Sequence, residues 1–161
     1  MKNGRKAFIE TLSELADNDK KIMLIYGDVG FSFMEDFIRA FPNQSLNAGI
    51  AEQNMMGVAV GLALEGFKPY VYTMSNFILL RPLEQVRNDI CYGNANVKLI
   101  AVKGGPSYKF LGHSHNLVDG EEVSLLKHLP NLNTYFPQTE EECAENIKSE
   151  YTRIGPAYFS I

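Results

Sequence analysis

The sequence predicts a three-layer α/β/α fold whose central sheet is mostly parallel. Apolar runs with strand character alternate with segments of helical spacing along the whole chain, and no repeat, low-complexity segment or linker interrupts them. Strands that alternate with helices in this way form a parallel sheet with helices on both faces. The 161 residues, of which 45% are hydrophobic and 21% are charged, match one ordinary globular domain. We therefore expect a single domain over residues 1–161.

The first half of the chain begins with a predicted helix over residues 3–17, because its apolar residues recur at helical spacing. A continuous apolar run at 22–26, bounded by charged residues and a glycine, is typical of a buried parallel strand. A short helix is predicted at about 34–41 and ends at Pro42. Residues 45–48 are predicted as a short strand.

Residues 51–64 are predicted to form a strongly apolar helix that is dense in small residues. Those residues are Gly57, Ala59, Gly61 and Ala63. Small side chains let another backbone approach closely, and an almost wholly apolar helix must be covered on most of its sides. We therefore expect this helix to be buried.

The second half continues the alternation of strands and helices. The predicted elements are a strand at 69–73, a helix at 79–92, a strand at 97–102, a helix at 121–128, a strand at 132–136, a helix at 140–151 and a strand at 157–161. The polar, glycine-rich stretch 103–116 is too long for a plain connection, which indicates a functional loop.

Composition argues against several classes of function. The net charge of −4 and the lack of any Lys/Arg cluster argue against nucleic acid as a partner. No apolar run approaches the ~20 residues that span a bilayer, and the basic N-terminus has no apolar stretch behind it, unlike a secretory signal. A cytoplasmic location is expected. Cys91 and Cys143 match no metal-binding spacing, and we expect buried free thiols in preference to a disulfide.

The position of a binding site follows from the predicted sheet. In parallel α/β sheets, ligands bind beyond the carboxyl ends of the strands. The segments that follow strands are 27–32, 48–54, 73–76 and 103–116. We expect the functional residues in these four segments.

Glu52 lies at the first turn of the apolar helix. An acid at this position is explained by the helix dipole alone, which is worth a few tenths to ~1 kcal/mol. However, Gln53 and Asn54 follow directly, so three polar residues begin a helix that is predicted to be buried. Buried polar groups need partners, which makes these residues candidates for a binding site.

A series of motifs resembles the pyrimidine-binding domain of transketolases and deoxyxylulose-phosphate synthases, in the family order and over nearly the whole chain. The central one is Gly49-Ile50-Ala51-Glu52-Gln53-Asn54-Met55, which resembles the family's GIxEQxM. The others are Arg5-Lys6-Ala7, Gly27-Asp28 with Ser32, Gly61-Leu62-Ala63 with Gly66-Phe67-Lys68-Pro69, Arg81 with Glu84-Gln85-Val86-Arg87 and Asp89, Ser114-His115-Asn116, and Leu129-Pro130-Asn131. The chain is most similar to the C-terminal sections of transketolases that are split into separate chains.

The resemblance implies the thiamine-diphosphate-binding fold, in its pyrimidine-binding form, and a role for each matching residue. The residue that matches Glu52 hydrogen-bonds N1′ of the cofactor's aminopyrimidine, so that the 4′-nitrogen can act as the base. This requires a carboxyl that can hold a proton, which burial favours. Phe77 matches an aromatic residue that packs on the pyrimidine, and Met74 replaces a second aromatic. Gln53 belongs to the same cofactor-binding set.

The resemblance also implies substrate contacts. His115 matches the histidine that contacts the sugar near the reacting carbon, where an imidazole can donate to a developing alkoxide. Arg5 and Ser32 match residues that hold the substrate's phosphate, and Asp28 either contacts substrate or caps a turn. His113 has no counterpart and is expected only to support the loop. The stretch 109–112 lacks the carboxylate with which transketolases bind sugar hydroxyls, so we expect a reshaped substrate pocket.

One half of the cofactor site has no counterpart in this sequence. No segment resembles the GDGxxxxxN signature that binds magnesium and the diphosphate, and we expect no metal ligands in this chain. The resemblance therefore implies a partner that carries the diphosphate-binding domain and supplies most of the Mg²⁺ contacts, in a homodimer or a hetero-oligomer. The apolar helix at 51–64 is the expected interface.

The implied activity is the transfer of a two-carbon ketol unit between sugars or sugar phosphates by a transketolase-like transferase. The alternatives are the beta subunit of a 2-oxo acid dehydrogenase and a deoxyxylulose-phosphate synthase-like enzyme. A further alternative, of a different class, is a non-catalytic assembly module.

Overall fold

The computed structural model describes residues 4–30, 32–104 and 108–161. Within these residues there are six strands: β1 (Ile22–Tyr26), β2 (Ser45–Asn47), β3 (Lys68–Met74), β4 (Lys98–Val102), β5 (Asn133–Tyr135) and β6 (Ala157–Ser160). They form one sheet of order β2-β1-β3-β4-β6-β5. Each pair of neighbours is parallel.

Helices cover both faces of this sheet. They are α1 (Gly4–Asn18), α2 (Glu35–Ala40), α3 (Glu52–Leu64), α4 (Ser75–Leu79), α5 (Leu83–Gln85), α6 (Glu121–Leu126) and α7 (Glu140–Thr152). Short 3₁₀ segments lie at Pro42–Gln44 and Lys109–Ser114.

The core is divided into two apolar clusters by the sheet, because successive strand side chains point to opposite faces. Tyr70 and Tyr72 of β3 pack with α1, α2 and α7, whereas Val71 between them packs with α3, α4 and α6. The strongest helix–helix packing joins α1 to α7. These observations confirm the predicted three-layer α/β/α fold with a parallel sheet.

The helix predicted at 79–92 is the main error in the element assignment. The chain instead enters α4 directly from β3, turns at residues 80–82 and continues as α5, which runs into a π-helical stretch at Val86–Tyr92. Pro82 explains the break, because proline has no backbone N–H and disfavours a helical conformation of the residue before it. The interruption places Arg81 in a turn beside the carboxyl end of β3.

Helix α3 is less covered than its composition predicts. Its buried residues are Glu52, Met55, Met56 and Ala59, whereas Leu64 is 80% exposed. A Cβ added at Gly57 or Gly61 would meet nothing within 4 Å. One face of α3 is therefore open in the isolated chain.

A buried ion pair fixes α7 to the amino ends of β4 and β5. Both oxygens of the Glu150 carboxylate accept hydrogen bonds, from Lys98, Asn133, Tyr135 and Arg153, at 2.7 to 3.0 Å. Lys98 Nζ also donates to the carbonyls of Arg153 and Gly155. The side chains of Lys98 and Glu150 are only 3% and 1% exposed. The pair lies at the amino ends of the strands, away from the edge where ligands bind.

The two cysteines are confirmed as buried free thiols. Burial raises the pKa of Cys91 to about 12 and that of Cys143 to about 11. Among the helices that the structure describes, none has the length and apolar character needed to cross a membrane.

Candidate active site

A cavity of about 330 Å³ lies at the carboxyl edge of the sheet. All four segments that follow strands contribute to its lining: Asp28, Val29 and Gly30; Ile50 and Glu52; Thr73 and Met74; Lys103, Tyr108 and His115. Arg5, Tyr72, Phe77, Arg81 and Val102 complete it. The position expected from a parallel α/β sheet is thus where the cavity is found.

Glu52 is the first residue of α3, and the two segments before and beside it determine its position. The Asn47 side chain accepts a hydrogen bond from the Gly49 N–H at 2.9 Å, and Gly49 has a φ of +71°, which favours glycine. A Cβ at Gly27 would lie 3.0 Å from the Gly49 carbonyl oxygen. Glycine at position 27 therefore lets the loop after β1 pack closely against the start of α3.

The Glu52 carboxylate is buried and faces a cation within the cavity lining. Its side chain is 8% exposed, and Oε1 accepts a hydrogen bond from Arg81 Nη1 at 2.6 Å. The Arg81 guanidinium carbon lies 3.8 Å from the centre of the Phe77 ring. A buried carboxylate, a flat aromatic surface and a planar N–H donor are thus in mutual contact.

His115 lies beside Phe77 and between aromatic groups. Its ring contacts the edge of Phe77 at 5.2 Å between centroids and stacks on Tyr108 at 6.2 Å. The Ser114 hydroxyl donates to the Leu111 carbonyl and lies 2.7 Å from His115 Nδ1. Because that hydroxyl hydrogen is already used, Nδ1 must donate to the serine oxygen. In neutral His115, Nε2 is then left as the acceptor.

Two asparagines hold the loop that carries His115. Asn76 Nδ2 donates to the Ser114 carbonyl at 2.8 Å and more weakly to that of His113. Asn116 Nδ2 donates to the Tyr108 and Gly112 carbonyls at 2.9 Å. The imidazole is therefore held by side chain–backbone bonds, and the observed part of His113 in them is its carbonyl.

Most predicted site residues meet in this cavity, but two do not line it. Arg5 is half-buried and places its guanidinium 4.1 Å from the Phe33 ring centre. Asp28 is exposed at the cavity rim. Ser32 lies outside the lining, where its N–H donates to Glu35. Gln53 also lies outside it and is exposed on the first turn of α3.

Sequence reasoning missed the contacts that Arg81, Tyr72 and Lys103 make. Arg81 stood in a quoted motif but was assigned no role, because its contact with Glu52 depends on the unpredicted break at Pro82. Tyr72 and Lys103 lie at the carboxyl ends of β3 and β4, which was the available signal. Burial raises the pKa of Tyr72 to about 12, against the opposing effect of Arg5, so its hydroxyl stays protonated.

The donor set suits an organic ligand better than a metal ion. Among the residues that the structure describes, no group of three or more His, Cys, Asp or Glu side chains is placed to hold a metal. The cavity instead offers the Glu52 carboxylate, the Phe77 ring, the Met74 thioether and the His115 imidazole. Such a mixture of flat apolar surface and a few polar groups is typical of small-ligand sites.

Comparison with known proteins identifies relatives with the same organisation. One of the two subunits of an apulose-4-phosphate transketolase from Phocaeicola vulgatus is 35% identical over 161 residues, covering 95% of this chain and 51% of its own. A putative transketolase C-terminal section from Methanocaldococcus jannaschii is 32% identical, covering 98% of this chain and 49% of its own. The chain thus spans about half the length of these relatives.

A solved structure agrees in fold as well. It is described as a split gene transketolase in an inactive beta4 tetramer, with a TM-score of 0.84 and 35% identity, covering 98% of this chain and 50% of that one. The family model of the transketolase pyrimidine-binding domain matches residues 1–161. Together with the cavity at the carboxyl edge of the sheet, these matches show that the chain belongs to the family of transketolase pyrimidine-binding domains.

Proposed function

We propose that this chain is the pyrimidine-binding subunit or domain of a thiamine-diphosphate-dependent transketolase-like enzyme. The enzyme transfers a two-carbon ketol unit between sugars or sugar phosphates. The observation that carries the proposal is the buried Glu52 carboxylate, which lies in one cavity with the Phe77 ring and the His115 imidazole. Each of these groups has a separate use in ketol transfer.

The residues present fit an aminopyrimidine. The Arg81 guanidinium, which is flat and carries N–H groups, already contacts both the Glu52 oxygen and the face of Phe77. A flat heterocycle with a polar edge can make the same two contacts. Thiamine diphosphate would supply the carbanion chemistry that no side chain provides. Glu52 would hold the proton at the ring nitrogen, while Phe77 and Met74 would pack on the ring.

Substrate contacts are assigned to the groups around the rim of the cavity. In the neutral tautomer argued above, His115 holds one proton at Nδ1, so donation to a substrate oxygen from Nε2 requires the protonated ring. Arg5 presents a cation suited to a phosphate, and Asp28 can accept from sugar hydroxyls. None of residues 109–112 lines the cavity, which supports a pocket reshaped relative to typical transketolases. Ser32 and Gln53 remain predictions at the second rank, because neither lines the cavity.

A partner chain is needed for the other half of the cofactor. Within the described residues no metal-binding cluster is present, and the matched relatives are about twice the length of this chain. We assign the diphosphate and its Mg²⁺ mainly to a chain that carries the diphosphate-binding domain, in a homodimer or hetero-oligomer. The open face of α3 is the proposed contact. A cytoplasmic location also stays a prediction.

Reconstitution tests the proposal directly. The chain would be mixed with the product of each neighbouring gene, and ketol transfer would be measured with thiamine diphosphate and Mg²⁺. We expect activity only when both chains and the cofactor are present. A mixture that forms a stable complex but shows neither cofactor binding nor transfer would favour the non-catalytic assembly module. Activity with a 2-oxo acid and no ketose donor would favour the dehydrogenase alternative.

The open face of α3 gives a separate prediction. Because a Cβ at Gly61 meets open space, Gly61→Ala should raise the free energy of unfolding of the isolated chain by about 0.5–1 kcal/mol. Gly61→Arg should leave the isolated chain folded but prevent assembly with the partner, because a long charged side chain would be placed in the contact. Chemical denaturation and analytical ultracentrifugation measure the two effects.

The matched control is Ser149→Arg, an exposed position of α7 in the opposite helical layer. This variant should assemble as the unmodified chain does. If Gly61→Arg also assembled normally, α3 would not be the contact.

A further inference from the structure

Arg81 has contacts that the proposed chemistry does not use. It lies in the turn at residues 80–82, and its side chain is 43% exposed. From there the guanidinium donates to Glu52 Oε1 at 2.6 Å and covers the Phe77 ring at 3.8 Å. Arg81 therefore joins the two groups that are assigned to the pyrimidine.

The geometry does not allow both occupants at once. A separation of 3.8 Å between the guanidinium carbon and the ring centre is van der Waals contact, so no second flat group fits between them. The carboxylate oxygen at 2.6 Å is also in a full hydrogen bond. A ring that packs on this face of Phe77 and bonds to this oxygen must displace the guanidinium.

We propose that Arg81 is an internal occupant of the pyrimidine site, which the cofactor's aminopyrimidine must displace as it binds. The inference rests on the proposed function. Its physical basis is that a buried carboxylate without a partner is costly, so Arg81 provides one for Glu52 while no cofactor is bound. The arrangement keeps the unassembled chain stable and makes its affinity for the pyrimidine lower than the empty site would have.

Displacement is feasible because the arginine is held only moderately. Ion pairs and cation–π contacts of side chains this exposed are weak. The Arg81 side chain also lines a shallow surface depression with Leu80, Leu83, Glu84 and Arg87. Glu84, which is only partly buried and three residues further along the chain, offers the released guanidinium a second carboxylate.

The test uses thiamine as the probe, because it carries the pyrimidine without the diphosphate that a partner chain would bind. Binding of thiamine to the 161-residue chain would be measured by calorimetry for the unmodified protein and for Arg81→Met, which keeps the length and loses the charge. We expect Arg81→Met to bind about tenfold more tightly, the scale of a weak ion pair combined with a cation–π contact. Adding Glu52→Gln should remove the gain.

The matched control is Arg87→Met, which removes the same charge from an exposed position nearby and should leave thiamine binding unchanged. Equal or weaker binding by Arg81→Met would overturn the proposal, because it would make Arg81 neutral or a ligand of the ring. An equal gain in Arg87→Met would also overturn it, since the effect would then come from net charge.

A measurement without ligand makes the inference independent of the proposed function. Pairing to Glu52 should slow rotation of the Arg81 guanidinium, which ¹⁵N NMR of the arginine side chains detects, and Glu52→Ala should restore fast rotation. Fast rotation in the unmodified chain would overturn the inference even if ketol transfer were observed. Conversely, absence of ketol transfer in the reconstituted enzyme would reject the proposed function while the Arg81–Glu52 pairing could still be measured.

Discussion

Replacing Glu52 with glutamine is expected to lower ketol transfer by the reconstituted enzyme at least about 10²-fold, the lower limit of what a positioned proton-transfer group contributes. Glutamine has the same size but cannot exchange a proton with the pyrimidine nitrogen. The remaining contacts of the site, those of Phe77 and His115, are untouched. The loss should therefore appear in kcat with the substrate KM nearly unchanged.

Folding should survive this substitution. The amide oxygen of glutamine can still accept the hydrogen bond that Arg81 donates to position 52. Glu65→Gln is the matched control, because it makes the same chemical change at the exposed carboxyl end of the same helix. The control should keep full activity. Activity of Glu52→Gln within about twofold of the unmodified enzyme would contradict the assigned role of Glu52.

The sequence predicts the frame of the site well, because the relevant signals are local. The apolar run at 22–26 and the glycine-rich segments after strands depend on neighbouring residues alone, and they led to the correct sheet and the correct edge. The first position of α3 was predicted for the same reason. Glu52, Phe77 and His115 do line one cavity.

What the sequence could not predict depends on contacts between distant residues. The Arg81–Glu52 bond spans 29 positions, and it requires the turn that Pro82 introduces into an apparently continuous helix. The Lys98–Glu150 pair spans 52 positions, and Lys98 reads in the sequence as an ordinary charged strand end. The open face of α3 was misjudged for another reason: composition requires that an apolar helix be covered but does not say by which chain.

Replacing Glu150 with glutamine is expected to lower the free energy of unfolding by about 3–5 kcal/mol, the usual effect of removing one member of a buried ion pair. The change leaves the Lys98 ammonium buried with only two carbonyl partners, those of Arg153 and Gly155. Chemical denaturation of the isolated chain measures the loss. Glu145→Gln, at an exposed position of the same helix, should change stability by no more than about 0.5 kcal/mol.

Acid should reveal the same carboxylate. Burial acts to raise the pKa of Glu150, but hydrogen bonds from Arg153, Asn133, Tyr135 and Lys98 outweigh it and lower the pKa from 4.5 to about 2. A carboxyl whose pKa is lowered by folding stabilises the folded state above its unfolded value and loses that contribution as pH falls through the folded value. The stability difference between the unmodified chain and Glu150→Gln should therefore be constant above about pH 5 and shrink toward pH 2.

Removing the buried cation as well separates the charge effect from packing. In Lys98→Met combined with Glu150→Gln, no unpaired ammonium remains, so the double variant should recover a large part of the stability that Glu150→Gln loses. Additive losses in the double variant would mean that the two side chains act independently. A stability difference that stays flat between pH 5 and pH 3 would mean that Glu150 has an ordinary pKa and that its hydrogen bonds do not hold the carboxylate charged. Because the pair lies at the amino ends of the strands, ketol transfer at saturating cofactor should change little in any variant that remains folded.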